Sequence, residues 1–139
     1  MWLRYSRPAR ALGGAAPDPH AEVEARKREA LVMVALHALP HEAHKKLWST
    51  LDVGYFMRHD AADIAWHTRQ LSRHVGSDKP IVRARRPPVG EGLQIMVYTR
   101  DQSDLFARIC GYFDRGGFSI LDARIHTARN GYALDTFQV

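Results

Sequence analysis

The spacing of three histidines is the first candidate for chemistry in this sequence. His37, His41 and His44 follow an i, i+4, i+7 pattern, which on a continuous helix would place three imidazoles where a zinc ion could bind. Pro40 lies between the first two histidines, and proline breaks a helix interior. We therefore predict that these histidines lie on different elements, are partly exposed and bind no metal.

The dipeptide His59-Asp60 is the second candidate. It resembles the metal-binding pair of HD phosphohydrolases, in which further His and Asp residues from other helices must bind the same metal ion. The residues from Ala61 to about Val75 have a helical pattern, and Asp60 fits the N-cap of that helix with Asp63 at position N3. We interpret Asp60 as a helix cap, and predict no catalytic residue and no metal ligand in this chain.

The apolar period changes along residues 93–139, which predicts a strand, a helix and two further strands. Alternation predicts the first strand, with its apolar side formed by Leu93, Ile95 and Val97. The helix has Asp101 or Ser103 as its predicted N-cap and ends at Gly116-Gly117. Its apolar stripe consists of Leu105, Phe106, Ile109, Cys110 and Phe113. We interpret Cys110, the single cysteine, as a small core residue.

The second and third strands form a predicted hairpin around Arg129-Asn130-Gly131. A two-residue Asn-Gly loop would pair Ala123 with Gln138, whereas a three-residue loop with Gly131 in the left-handed region would pair Ala123 with Phe137. We predict the three-residue loop. One face of the preceding strand then carries Leu121, Ala123 and Ile125, and the other Asp122, Arg124 and His126.

A strand, a crossover helix and a returning hairpin make up two thirds of a split βαβ, ferredoxin-like unit. The predicted fold class is α+β, with a helical N-terminal segment followed by this truncated β-α-β-β unit. A complete unit would add a second helix and a fourth strand. We therefore expect the first strand to be an uncovered edge, with an unpaired apolar face formed by Leu93, Ile95 and Val97.

The part of the chain before this unit is predicted to be helical. We divide the sequence into a disordered lead-in at 1–20, a helical segment at 21–75, a linker at 76–92 and the truncated unit at 93–139. Within the helical segment, Pro40 ends the first helix and begins a short one from His41 to Leu47 or Trp48. Ile81 to Arg85 form a short extended piece in the linker.

Charge is distributed unevenly, with a net +6 in the first 88 residues and −1 in the remainder. The sequence has no block of Lys and Arg interleaved with aromatic residues, so we interpret the excess as a solvated basic face and predict no nucleic-acid partner. No apolar run approaches the roughly 18 residues of a membrane span. We predict a cytoplasmic protein with no membrane partner.

Several segments resemble one family, the bifunctional PII uridylyltransferase/uridylyl-removing enzymes. Leu47-Trp48, Tyr55 to His59 and Ile64 to His67 are similar to the family's helical segment between its HD domain and its first ACT domain. Leu105-Phe106, Ser119 to Thr127 and Leu134 to Val139 are similar to the opening of that ACT domain. The resemblance covers roughly residues 21 to 139.

The resemblance implies a regulatory role. Members of the family have a nucleotidyltransferase domain, an HD hydrolase domain and two ACT domains, use Mg²⁺ or another divalent metal, and modify the signalling protein PII in response to glutamine. This chain has neither the Gly-Ser with paired aspartates of nucleotidyl transfer nor a full set of HD metal ligands. We therefore expect no catalytic site and no cofactor in the chain.

ACT domains generally bind an amino acid where the first strand meets the first helix, which implies glutamine as an effector here. Backbone N–H groups at Ser103, Asp104 and Leu105 would hold the α-carboxylate, and Asp101 or Asp122 the ammonium group. The candidate effector-binding residues are Asp101, Gln102, Ser103, Asp104, Leu105 and Asp122.

Two alternatives remain open from the sequence. In the first, Asp101 and Ser103 only cap the helix, and Asp122 is a solvent-facing strand residue. In the second, the unit is a structural or interaction module that forms a homodimer or docks on another ACT domain through its exposed strand edge, without binding a ligand.

Overall fold

The computed structural model describes residues 18–35 and 39–139. The chain divides into two compact units between Val75 and Gly76, a helical one and one built on a sheet. Residues 1–17 of the predicted lead-in and His37 of the histidine series lie outside the described residues.

The helical unit contains four described helices. They are α1 (Pro19–Ala35), α2 (Lys45–Trp48), α3 (Val53–Arg58) and α4 (Ala61–Leu71). The first begins two residues before the predicted start at Ala21. The short helix predicted from His41 is helical only from Lys45, because residues 41–44 form turns. α3 was not predicted from the sequence.

Aspartates occupy the N-cap positions of α3 and α4. The Asp60 carboxylate accepts a hydrogen bond from the Asp63 N–H at 2.9 Å, so the prediction that Asp60 caps α4 is confirmed. Asp52 caps α3 in the same way, accepting from the Tyr55 N–H at 3.2 Å. α4 ends at Leu71, four residues earlier than predicted.

Arg26 connects α1 to the end of α3. Its guanidinium donates to the carbonyl oxygens of Phe56 and Met57 at 2.8 and 2.7 Å, and to the carboxylate of Glu22 at 2.8 Å. The last carbonyls of a helix have no partner within the helix, so the arginine satisfies two groups that would otherwise need water. Arg26 thereby fixes the spacing of two helices whose buried side chains include Val23 and Phe56.

The second unit is a four-stranded antiparallel sheet with one helix. Its elements are β1 (Ile81–Arg85), β2 (Gln94–Arg100), α5 (Leu105–Arg115), β3 (Asp122–Arg124) and β4 (Tyr132–Gln138). The strand order is β1-β2-β4-β3. This arrangement confirms the predicted α+β class with a ferredoxin-like unit.

The prediction that the first strand of this unit is an uncovered edge was wrong. β1, which lies in the predicted linker, pairs antiparallel with β2 from Ile81 opposite Tyr98 to Arg85 opposite Gln94. The Arg85 Nε also donates to the Gln94 side-chain oxygen at 2.7 Å. A strand that precedes β2 in the sequence thus occupies the position beside β2.

The hairpin has the predicted three-residue loop. Ala123 pairs with Phe137, and the bridge between Thr127 and Ala133 continues the same register to the turn. Gly131 has a φ of 80°, the left-handed conformation that this loop requires and that glycine adopts without strain.

The core of this unit lies between α5 and the sheet. Phe113 of α5 packs with Val97, Ala123 and Phe137, and partly buried residues surround them, including Phe106, Ile109 and Ile125. Cys110 is half-buried on the same helix, and burial raises the pKa of its thiol. The helix ends at Arg115 with Gly116 as its C-cap, in agreement with the predicted end at Gly116-Gly117.

The opposite face of the sheet is buried as well, which the alternating pattern did not predict. Met96 and Tyr98 are fully buried, and Leu121, assigned to the apolar face, is 58% exposed. Asp122 and His126, predicted on the polar side of their strand, are buried too. The period of two located β2, β3 and β4, but it did not reveal that residues on both sides of these strands are buried.

Candidate functional site

The loop between β2 and α5 is exposed and held to the hairpin turn. The side chains of Asp101, Gln102, Ser103 and Asp104 are all exposed, and Leu105 is half-buried. The N–H of Asp101 donates to the Gly131 carbonyl at 3.0 Å, and the Thr127 hydroxyl donates to the Asp101 carboxylate at 3.5 Å. The start of the loop is therefore fixed against the β3–β4 turn.

The N-terminus of α5 differs from the prediction in its cap. Asp104 occupies the N-cap position and its side chain makes no capping hydrogen bond, so neither Asp101 nor Ser103 caps the helix. The Leu105 N–H donates to the Gln102 carbonyl at 3.1 Å and is not available to a ligand. Within the described part of the chain, the N–H groups of Ser103 and Asp104 have no backbone acceptor.

The loop contains the two types of group that the carboxylate and ammonium of an amino acid require. The two amides lie just before the first residue of an eleven-residue helix, the end of a helix at which a carboxylate is favoured. Asp101, at the other end of the short loop, is an exposed carboxylate. Asp104 adds negative charge next to the amides and opposes carboxylate binding.

Asp122 does not join this loop. It pairs with Gln138 at one end of β4, whereas the Asp101 N–H contacts Gly131, which precedes the other end of β4. Seven residues of strand separate the two ends, a distance of roughly 20 Å. Asp122 is buried and lies 3.6 Å from the Arg124 guanidinium, so it is not a solvent-facing residue either.

Asp135 is a buried carboxyl group within β4 that was not selected from the sequence. It is 1% exposed, pairs with Val97 in the register of β2 and β4, and accepts a hydrogen bond from the His126 N–H at 3.3 Å. Burial, with a smaller effect of Asp101, raises its pKa to about 7, although the bond from His126 opposes the shift. Its signal in the sequence is an acidic residue inside the otherwise apolar run of β4.

The described histidines of the two candidate metal-binding motifs lie either in turns or against backbone groups. His41 is exposed and His44 half-buried, in the turns before α2. His59 is 1% exposed, and its Nδ1 lies 3.0 Å from the Tyr55 carbonyl oxygen. Among residues 18–35 and 39–139, no three His, Cys, Asp or Glu side chains lie close enough together to hold a metal ion.

Comparison with known proteins identifies the relatives of this chain. Residues 18–70, nearly the whole helical unit, match the family described as the fifth domain of the uridylyltransferase GlnD. The bifunctional uridylyltransferase/uridylyl-removing enzymes of Burkholderia mallei, Burkholderia pseudomallei and Burkholderia thailandensis are each 62% identical to it over 128 residues, or 92% of the chain. Over these 128 residues the chain is therefore similar to a part of these enzymes.

The match covers a small part of each bifunctional uridylyltransferase/uridylyl-removing enzyme, since the chain spans 15% of the length of these relatives. The helical unit, interpreted from sequence as a segment between domains, corresponds to a domain with its own family description. No solved structure matches the chain significantly. No helix of the described residues is long and apolar enough to cross a membrane.

Proposed function

We propose that the chain is a regulatory part of a bifunctional uridylyltransferase/uridylyl-removing enzyme, in which the loop after β2 senses glutamine. The whole enzyme would add uridylyl groups to PII and remove them, and the sheet unit would act as an ACT domain. The observation that carries the proposal is that the loop contains the Asp101 carboxylate together with two amides, at Ser103 and Asp104, that have no backbone acceptor among the described residues.

The geometry supports an amino acid as the ligand because the two kinds of group are a few residues apart on an anchored loop. An α-carboxylate would accept from the amides, while the ammonium group would contact Asp101. The bond from Thr127 and the contact of Asp101 with Gly131 hold this carboxylate before a ligand arrives, which lowers the ordering cost of binding. Asp104 keeps the affinity low, so we expect a site in the millimolar range, roughly 4 kcal/mol.

Isothermal titration calorimetry of the 139-residue protein with L-glutamine tests the proposal. We expect heat of binding with the unmodified protein and its loss in Asp101→Asn, because the ammonium group then lacks its counter-charge. Asp104→Asn should bind more tightly, since a repulsive charge is removed. Asp78→Asn, an exposed carboxylate outside the loop, is the matched control. Absence of heat at concentrations ample for a millimolar site would exclude this loop as the sensor.

The second candidate function, an interaction module without a ligand, no longer rests on an exposed β2 edge. β1 covers that edge, so the remaining edges are β1 and the three-residue β3. Short strands offer few backbone groups to a partner. Homodimer formation or docking on another ACT domain would therefore have to use another surface.

A further inference from the structure

One edge of the sheet is formed by β1, a short strand with a proline on either side. The strand order makes β1 the outermost strand, so one side of its backbone has no neighbouring strand among the described residues. Val82, Arg83 and Ala84 of this strand are all exposed. The prolines at positions 80 and 87 limit the edge to the residues between them, since proline has no N–H group for a further strand.

The hydrogen bonds of β2 show which backbone groups of β1 face the open side. Leu93, next to β2, exchanges two hydrogen bonds of 2.9 Å with Val139, next to β4. Odd-numbered residues along β2 therefore direct their backbone groups to β4 and even-numbered ones direct theirs to β1, because this direction alternates along a strand. The even-numbered residues of β2 lie opposite the odd-numbered residues of β1. The N–H and C=O groups of Val82 and Ala84 consequently face the open edge.

Positive charge borders the open edge. The Arg83 guanidinium donates to the Val82 carbonyl oxygen at 2.9 Å, and because this carbonyl faces outward, the charge of Arg83 lies at the edge. Arg86 is exposed and Arg85 is half-buried. Residues 79–90 include four basic residues and no acidic one. The charge at this edge therefore favours an acidic partner.

The two faces of β1 differ in chemistry. Val82 lies opposite Val97 of the core, so Val82 and Ala84 have their side chains on the α5 side of the sheet. Arg83 and Arg85 have theirs on the other side. A strand that pairs with β1 alternates in the same way. Its complementary sequence therefore has apolar residues on the side of Val82 and Ala84, alternating with acidic residues on the side of the arginines.

A second copy of β1 is a poor partner for this edge. It would bring the same arginines to the edge, and like charges on neighbouring strands destabilise their pairing. The edge also presents few backbone groups, namely the N–H and C=O groups of Val82 and Ala84. Because these four groups alone give a weak interface, a partner needs opposite charges as well.

We propose that the open edge of β1 binds an extended polypeptide segment with alternating acidic and apolar residues, which adds to the sheet as an antiparallel strand. The apolar residues of the segment exchange backbone hydrogen bonds with Val82 and Ala84, and its acidic side chains pair with Arg83 and Arg85. The proposal does not depend on glutamine binding, because β1 contributes no residue to the loop after β2.

A synthetic peptide tests the proposal. A nine-residue peptide of alternating Glu and Val, labelled with fluorescein, is titrated into the 139-residue protein, and binding is measured by fluorescence anisotropy. We expect binding to the unmodified protein and its loss in Ala84→Pro, which lacks an N–H group on the open edge. This N–H does not face β2, so the pairing of β1 with β2 is retained. Ala84→Ser keeps the N–H group and is the matched control.

Methylated peptides test the same hydrogen bonds without any change to the protein. Methyl groups on the Val amides of the peptide remove the donors that face β1, so this peptide should not bind. Methyl groups on the Glu amides, which face away from β1, should leave the affinity largely unchanged. Equal affinities of the two methylated peptides would contradict strand pairing.

The charge requirement is tested with a peptide that has Lys in place of each Glu. We expect the Lys peptide to bind roughly fivefold to tenfold more weakly, since exposed ion pairs contribute little individually. Arg83→Glu should reverse this preference. Arg129→Glu, at an exposed position of the hairpin loop, should leave it unchanged.

Four further results would overturn the proposal. Absence of binding by the Glu peptide would mean that the arginines only prevent strand pairing. Equal binding to Ala84→Pro and Ala84→Ser would exclude the backbone of the edge. A single-stranded DNA oligonucleotide that displaces the peptide with equal affinity would assign the charges to nucleic acid. A concentration-dependent dimer in sedimentation that Ala84→Pro abolishes would assign the edge to a second copy of this chain.

Discussion

The hydroxyl of Tyr132 donates a hydrogen bond to the carbonyl of Ser77 at 2.7 Å, across 55 residues of sequence. The ring of Tyr132 stacks on that of Tyr98 with centroids 5.0 Å apart, and the Tyr98 hydroxyl accepts from the Gly76 N–H at 3.3 Å. Two tyrosines of neighbouring strands therefore fasten the start of the sheet unit to its centre.

Replacing Tyr132 with Phe tests this attachment. The ring stack is retained while the bond to Ser77 is lost, so we expect the free energy of unfolding of the sheet unit to fall by about 1 kcal/mol. Hydrogen exchange measured by NMR should show faster exchange of the Gly76 amide. Tyr112→Phe, an exposed tyrosine, should have no such effect. Unchanged protection of Gly76 in Tyr132→Phe would contradict the role.

Replacing Arg26 with Met keeps the aliphatic stem but removes the donors to Phe56 and Met57. Because two carbonyls at the end of α3 then lack their charged partner, we expect the helical unit to lose roughly 2–3 kcal/mol in chemical denaturation followed by tryptophan fluorescence. Arg28→Met, at an exposed position of the same helix, is the control and should change stability by less than about 0.5 kcal/mol. Equal losses in the two variants would refute the role of the Arg26 bonds.

We predict that Asp135 makes the free energy of unfolding depend on pH. The folded state raises its pKa from 3.8 to about 7, so the folded protein binds this proton more tightly than the unfolded chain does. Stability should therefore be highest below pH 4 as far as this group is concerned, fall as the pH rises to 7, and then level off. The total contribution is on the order of 4 kcal/mol.

The Asp135→Asn variant isolates that contribution. It cannot ionise, so its thermal unfolding, followed by circular dichroism from pH 4 to 8, should lose the downward slope. Asp78→Asn serves as the exposed control and should retain the slope of the unmodified protein. If the slope persists in Asp135→Asn, another group is responsible.

We predict that close packing around Gly92 makes its replacement by alanine strongly destabilising. It has a φ of 85°, and an added Cβ would overlap the carbonyl oxygen of Val139, which accepts from the Leu93 N–H at 2.9 Å. Gly131→Ala has similar backbone strain but open space around the added atom, so it should cost roughly 1–2 kcal/mol. Gly92→Ala should cost clearly more in denaturant titration. Equal costs would show that the neighbouring strand end yields without penalty.

The sequence predicted those features in which several local signals agree. The hairpin register followed from Gly131, and any slip by one residue would have moved Phe137 off the core face. The α5 helix followed from a wide apolar stripe closed by glycine. Asp60 was recognised because an N-cap residue followed by an acidic third position is a specific signal.

The missed elements are short. α3 contains six residues with a glycine inside, too few for a helical period to be visible. β1 consists of five residues between prolines at positions 80 and 87, and it was predicted only as an extended piece of a linker. Its role depends on a partner, β2, that local sequence does not identify.

The sequence indicated the candidate site through the predicted N-terminus of α5. Which other residues lie near that loop depends on the tertiary structure. Asp122 was included because its residue type suits an ammonium group, and the strand direction then placed it at the far end of β4. Asp135 was missed because burial, not sequence pattern, gives it its raised pKa.

Because β1 precedes the segment in which the apolar alternation begins, the first residue of a shortened polypeptide decides whether β2 keeps its partner strand. A piece cut at residue 93, where the apolar alternation begins, would leave β1 behind and expose the amides and carbonyls of a seven-residue strand. Such a piece would tend to pair with strands of other molecules and precipitate, whereas one that starts at Gly76 keeps β2 paired with β1.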